Sequence, residues 1–259
     1  MLKSVLGLAV FAASVGAGSS YAADGPKPTV VLVHGAFADA SSWSGVISKL
    51  EKDGYPVVAV ANPLRSVKGD GDYVRRIVAG LKTPVVLVGH SYGGSVISEA
   101  ASKGGNIKSL VYVSAFAPEV GESALALTGK FPGSTLPPTL GEPVELENGV
   151  KDLYIQQAKF HDQFAADVSV GDAKIMAATQ RPVTDFALGQ ANTNAGWKDI
   201  PSWSVYGDAD KNIPPETLAW MAKRANSKET IVVKGASHVV MVSHPDKVAK
   251  IIEEAAKAN

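Results

Sequence analysis

The sequence predicts an α/β fold: a mostly parallel central sheet with helices on both faces and an inserted cap over one edge. Three observations predict it. Strand and helix patterns alternate along the chain, as a parallel sheet with crossover helices requires. Residues 85–88 are all valine or leucine and run straight into Gly89-His90-Ser91-Tyr92-Gly93, the G-x-S-x-G pattern of a sharp strand-to-helix turn. The 259 residues are 46% hydrophobic and 19% charged, which is enough to bury one large core in a single domain.

Residues 1–22 read as a signal peptide. Lys3 supplies a positive start, residues 5–15 are an apolar run too short to span a membrane, and Ser20-Tyr21-Ala22 offers small residues for cleavage after Ala22. Glycines 16 and 18 and serines 19 and 20 follow the apolar run at once, so no stable membrane anchor is expected. The expected location is therefore outside the cytoplasm, periplasmic or secreted. The remaining domain is 23–259.

In that domain, residues 29–33 are the first strand. Residues 41–52 read as its helix, with Trp43, Val46, Ile47 and Leu50 at helical spacing and Asp53-Gly54 closing it. A strand at 57–61, a helix at 73–81 and the strand at 84–88 follow, then a helix at 95–102 and a strand at 107–113. The alternation stops from Pro118 to about Trp197. Pro132, Pro137, Pro138 and Pro143 oppose any long element between 130 and 145, whereas 152–166 reads as helical, with Leu153, Phe160 and Phe164 along one side. This insert is read as a cap over the carboxyl edge of the sheet, where open α/β sheets bind ligands. Phe131, Leu136, Leu140, Tyr154, Phe160, Phe164 and Trp197 are its candidate cavity walls, or simply its own core. Strand and helix patterns resume at 203–206, 215–224, 230–233 and 245–256.

Lys plus Arg and Asp plus Glu both number 25, so there is no basic field for nucleic acid and no acidic tail. With no cysteine there is no disulfide, thiolate metal site or cysteine nucleophile. His and carboxylate residues also lack the spacing of a metal cluster, so the expected partner is a small molecule and no metal or cofactor is called for.

The tight turn would expose Ser91 at its tip, but a serine hydroxyl needs a base within reach and the base needs an orienting partner. In this topology they follow the nucleophile in the order acid, then histidine. His238 fits best, because it follows the strand at 230–233 through the flexible Gly235-Ala236-Ser237 turn. His244 is the rival, in Ser243-His244-Pro245-Asp246, which looks like a helix start. For the acid, Gly207-Asp208-Ala209-Asp210 follows the preceding strand. Asp210 is preferred because it lies beyond the turn, Asp208 would bond nearby turn amides, and Glu119 is a third candidate. Two N–H donors must also meet the oxyanion of an acyl transfer: the amide of Tyr92, and one from the loop after the first strand, for which Ala36 is the candidate. His34 and His90 flank motif glycines and are read as structural.

Together VVLVHGAFADASSW, GHSYGG, GDADKNIP and SHVVMVSHPDKVAKII resemble the α/β-hydrolase superfamily across nearly all of the domain. The likeness is to small serine esterases of the plant methyl esterase and hydroxynitrile lyase group and to bacterial pyrethroid-hydrolase-like proteins. It implies cofactor-free transfer of an acyl group from an ester to water by Ser91, His238 and Asp210. Hydroxynitrile lyases of that group carry threonine where Gly35 stands and lysine directly after the catalytic histidine, where this chain has Val239. Both differences favour hydrolysis. Cofactor-free haloperoxidases share the triad, and a slow-turnover ligand receptor on the same fold is the alternative of a different class.

Overall fold

A computed structural model describes residues 26–102 and 104–258. The predicted signal peptide lies outside the described residues. Strand β1 (Thr29–Val33) leads through a short 3-10 turn at Ala40–Trp43 into α1 (Ser44–Lys52). Then come β2 (Val57–Val60), α2 (Val67–Ala79), β3 (Val85–His90), α3 (Tyr92–Ala100) and β4 (Ile107–Val113). The insert carries α4 (Ala124–Thr128), β5 (Val144–Glu145), β6 (Lys151–Leu153), α5 (Gln157–Phe164), α6 (Val170–Thr179), β7 (Val183–Thr184) and α7 (Asp185–Gly189). The chain closes with β8 (Ser202–Gly207), α8 (Pro215–Arg224), β9 (Thr230–Val233), α9 (Val240–Ser243) and α10 (Pro245–Lys257).

The central sheet has six strands in the order β2-β1-β3-β4-β8-β9, and every pairing is parallel. Successive side chains of a strand point to opposite faces, so full burial along β1 and β3 means that both faces are covered. One covering layer packs α1 against α10, and another packs α2 against α3. Helix α3 is buried along its whole length.

Three elements differ from the pattern reading. Helix α2 begins at Val67, six residues before the periodicity shows, because the Ser66 hydroxyl caps the Gly69 amide. Gly69 and Gly71 hide this first turn in the sequence, yet Gly71 is there for packing: a Cβ on it would lie 2.8 Å from Cγ of Glu99 on α3. The first helical segment is 3-10 before it is α, since Asp39 caps the amide of Ser41. The stretch from 152 is not one helix. Residues 151–153 form β6 between β5 and β7 in an antiparallel sheet, and the helix starts only at Gln157. Asp152 is held there by the guanidinium of Arg65 at 2.6 Å.

Both ends of the insert meet at a neck. The amide of Gly121 donates to the carbonyl of Asn192 and the amide of Asn192 to that of Glu122, both at 2.9 Å. The neck rests on α3, where the buried Glu99 carboxylate accepts from the Thr193 and Asn194 amides, the Thr193 hydroxyl and the Asn192 side chain.

Candidate active site

Ser91 stands between β3 and α3 at φ 53° and ψ −122°, a conformation that side chains rarely adopt and that costs about 1–3 kcal/mol. The surroundings hold it. Its amide donates to the carbonyl of Val113 and its own carbonyl accepts from Gly94 and Phe116. A Cβ at Gly93 would lie 2.4 Å from the carbonyl oxygen of Val33, so the turn can sit against β1 only with glycine there.

The turns after β8 and β9 are joined to each other. The Ala209 amide donates to the Ala236 carbonyl at 3.1 Å, and the Gly235 amide to Asp208 Oδ1 at 2.6 Å. This brings His238 Nδ1 to 2.7 Å from Asp210 Oδ2, with the two side chains 1% and 0% exposed. Asp210 is itself fixed, because its Oδ1 accepts from the amides of Asn212 at 2.8 Å and Ile213 at 3.0 Å. A carboxylate so placed keeps the His238 proton on Nδ1 and frees Nε2 to accept. The imidazole packs against the rings of Phe164, 5.0 Å away, and His90, 4.7 Å away, which also touch each other.

Ser91, His238, Ala36 and Tyr92 line one cavity of about 190 Å³. Its other walls are almost wholly apolar: Phe37, Phe116, Leu125, Leu136, Leu140 and Leu188 are typical, and no Asp, Glu, Lys or Arg lines it. Leu125 lines the cavity and is 64% exposed, which places the mouth at α4. The loop 34–37 presses on the turn: a Cβ at Gly35 would lie 2.7 Å from Cβ of Ser91 and 3.2 Å from the amide nitrogen of Tyr92. The loop that carries Ala36 is thereby packed against the start of α3, next to the amide nitrogen of Tyr92.

A family model described as the alpha/beta hydrolase family matches residues 30–251. The chain belongs to this family. An alpha/beta hydrolase from Aspergillus novofumigatus is 31% identical over 250 residues, covering 89% of this chain and 97% of that protein. The alpha-hydroxynitrile lyase of Arabidopsis thaliana is 27% identical, covering 85% and 94%. Among solved structures, polyneuridine aldehyde esterase has a TM-score of 0.77 at 22% identity, covering 89% of this chain and 100% of that one, a likeness of fold.

In this α/β hydrolase the competing residues are placed apart from Ser91's cavity. His244 stands at the N-cap position of α10 without a side-chain capping bond, its Nδ1 2.9 Å from the hydroxyl of Ser243 and 3.6 Å from Asp167. Asp208 is taken up by the Gly235 amide, and Glu119 pairs with Lys198 at 2.6 Å, which holds its carboxyl below the usual range. His34 buttresses the loop: Nε2 accepts the Asn62 amide at 3.1 Å, so the proton is on Nδ1 and goes to the Gly35 carbonyl at 2.9 Å. Of the candidate walls, Leu136, Leu140 and Phe164 line the cavity. Phe160 backs Phe164, Phe131 packs on Trp220, Trp197 donates to the Pro118 carbonyl, and Tyr154 lies away from the cavity.

Two supports have partners that the sequence does not show. His90 packs its ring on His238 and donates from Nε2 to the His238 carbonyl at 3.1 Å. The Tyr92 hydroxyl donates to Asp70 on α2 at 2.8 Å, and burial pushes the Asp70 carboxyl up. Among the described residues no three His, Asp or Glu side chains gather as a metal site, and no helix is long and apolar enough to cross a membrane.

Burial lowers His34 to about 4 from a usual 6.5. Between those values the unfolded chain binds a proton that the folded chain refuses, so stability rises with pH through that window and is lost on acidification. His34 should therefore cost about 2 kcal/mol between pH 7 and pH 5. Urea unfolding checks this: His34→Gln should flatten the pH dependence over that range, and an unchanged slope contradicts the assignment.

Proposed function

We propose that this protein is an exported serine esterase that cleaves small, uncharged carboxylic esters through an acyl-enzyme on Ser91. The observation that carries the reading is the buried His238–Asp210 hydrogen bond opening, with the strained Ser91, onto one apolar cavity. Ser91 Oγ adds to the ester carbonyl as His238 Nε2 takes its proton, and the amides of Ala36 and Tyr92 hold the oxyanion. Collapse of the tetrahedral intermediate expels the alkoxide, which takes the proton from His238 and leaves as the alcohol. Water, deprotonated by His238, then adds to the acyl-enzyme, and the acid departs as the proton returns to Ser91.

The cavity supports the substrate class. An apolar cavity of about 150 Å³ accepts benzene, so one of about 190 Å³ suits a short or phenyl-sized group. Its amide side chain, Asn212, is already bonded to Gln163 and leaves a charged substrate without a partner. Lyase chemistry is disfavoured by Gly35, where a side chain would meet Ser91, and by the buried, apolar Val239.

With p-nitrophenyl acetate the expected result is a burst of about one p-nitrophenol per enzyme, absent in Ser91→Ala. Steady turnover without a burst and undiminished in Ser91→Ala would refute the reading. Export rests on residues 1–22, and N-terminal sequencing of protein secreted or released from the periplasm should begin at Ala23. A chain beginning at Met1 would contradict it.

A further inference from the structure

A second cavity, of about 220 Å³, lies behind the loop that follows β1, between residues 38–45, α6 and Val242. Phe37 is the one described residue that lines both this cavity and the one holding Ser91. Its side chain is buried and meets Phe164 edge-on at 6.2 Å, and Phe164 is the ring that packs on His238. Its backbone is left-handed at φ 59°, unusual for a bulky residue, and its amide is tied to the Arg181 carbonyl at 3.0 Å. The position is thus fixed by the main chain, and the ring is free to be chosen for what it separates.

The second cavity has two sides. Ile175, Met176 and Val242 are apolar, while Asp39, Asp172 and Gln180 are polar. Ile175 is 65% exposed, so the space reaches solvent. Such a lining suits an aryl or alkyl arm whose far end carries a hydroxyl or ammonium group.

We propose that Phe37 is the wall that limits the ester this site accepts, and that the second cavity is a subsite for a longer arm, kept apart from Ser91 by that ring. The kinetic part rests on the esterase reading; the binding part does not. The observations on which it stands are the shared lining and the ring's place beside Phe164.

The test is Phe37→Ala, with Phe37→Leu as the milder variant should the first fail to fold. Specificity is read as kcat/KM for p-nitrophenyl 4-phenylbutyrate and for 4-phenylbutyl acetate, each relative to p-nitrophenyl acetate. For the arm that lies toward the loop, this ratio should rise by about tenfold or more, with a smaller rise in Phe37→Leu. Adding Met176→Trp to Phe37→Ala refills the second cavity and should take the gain away. Calorimetry with 4-phenylbutan-1-ol, which needs no turnover, should show tighter binding in Phe37→Ala and its loss in the double variant. Unchanged ratios and unchanged alcohol binding in folded variants would overturn the proposal, as would a gain that survives Met176→Trp. A protein that hydrolyses no ester yet shows the predicted pattern of alcohol binding would sink the esterase reading and leave the partition standing.

Discussion

Replacing Ser91 with alanine is expected to lower kcat by about a millionfold, the scale seen when the nucleophile of a serine-histidine-acid site is removed. The fold should survive the change. Alanine keeps the Cβ that the turn already accommodates, and the bonds holding the turn are made by the main chain of Ser91, Val113, Gly94 and Phe116. Melting temperature should therefore move little while the burst disappears. What activity remains would come from the paired amides and the cavity alone, about three to four powers of ten above water. A variant within tenfold of the parent would place the chemistry elsewhere.

The second large effect is at the acid. Asp210→Asn should cost about 10⁴ in kcat, whereas Asp208→Asn should cost little. Asparagine can keep its oxygen on the amides of Asn212 and Ile213, where Asp210 Oδ1 sits. Its NH₂ then points at His238 Nδ1, which must become the acceptor, and the ring proton is driven to Nε2, the atom required to act as base. The site would be intact in shape and in the wrong tautomer. Asp208 holds only the Gly235 amide of the joined turns. Steady-state kinetics of the two variants, with their crystal structures, separate the cases, and a larger loss at Asp208 would reverse the assignment.

How far the sequence reads through to the structure depends on whether a residue's task is local. The Ser91 turn is legible because a buried strand, a reversal and a helix start are all written within ten residues. The Asp210 and His238 loops are legible because each follows a strand directly, and parallel pairing of those strands puts their ends on one edge. Helix α2 is read late, since Gly71 lowers helix propensity in order to fit Glu99, a residue far along the chain. The misreading of 152–166 has the same origin: three residues of strand carry no period of their own, and it is the pairing with β5 and β7 that makes them one. The role of Phe37 as a shared wall is not local at all. It arises only when the loop after β1, α6 and the β3 turn come together.

Glu99 has a consequence for access. The helix whose first turn presents Ser91 also grips the neck of the insert through a buried carboxylate bonded to Asn192, Thr193 and Asn194. Hydrogen bonds to a charged group contribute about 1.5–3 kcal/mol each, so lifting the neck off α3 would break several such bonds at once. Detachment of the neck from α3 is therefore not the expected route of entry. Under the esterase reading the exposed mouth at Leu125 is the expected entrance, and the uptake of substrate should follow simple saturation, without the lag or surface dependence of an enzyme that has to open first.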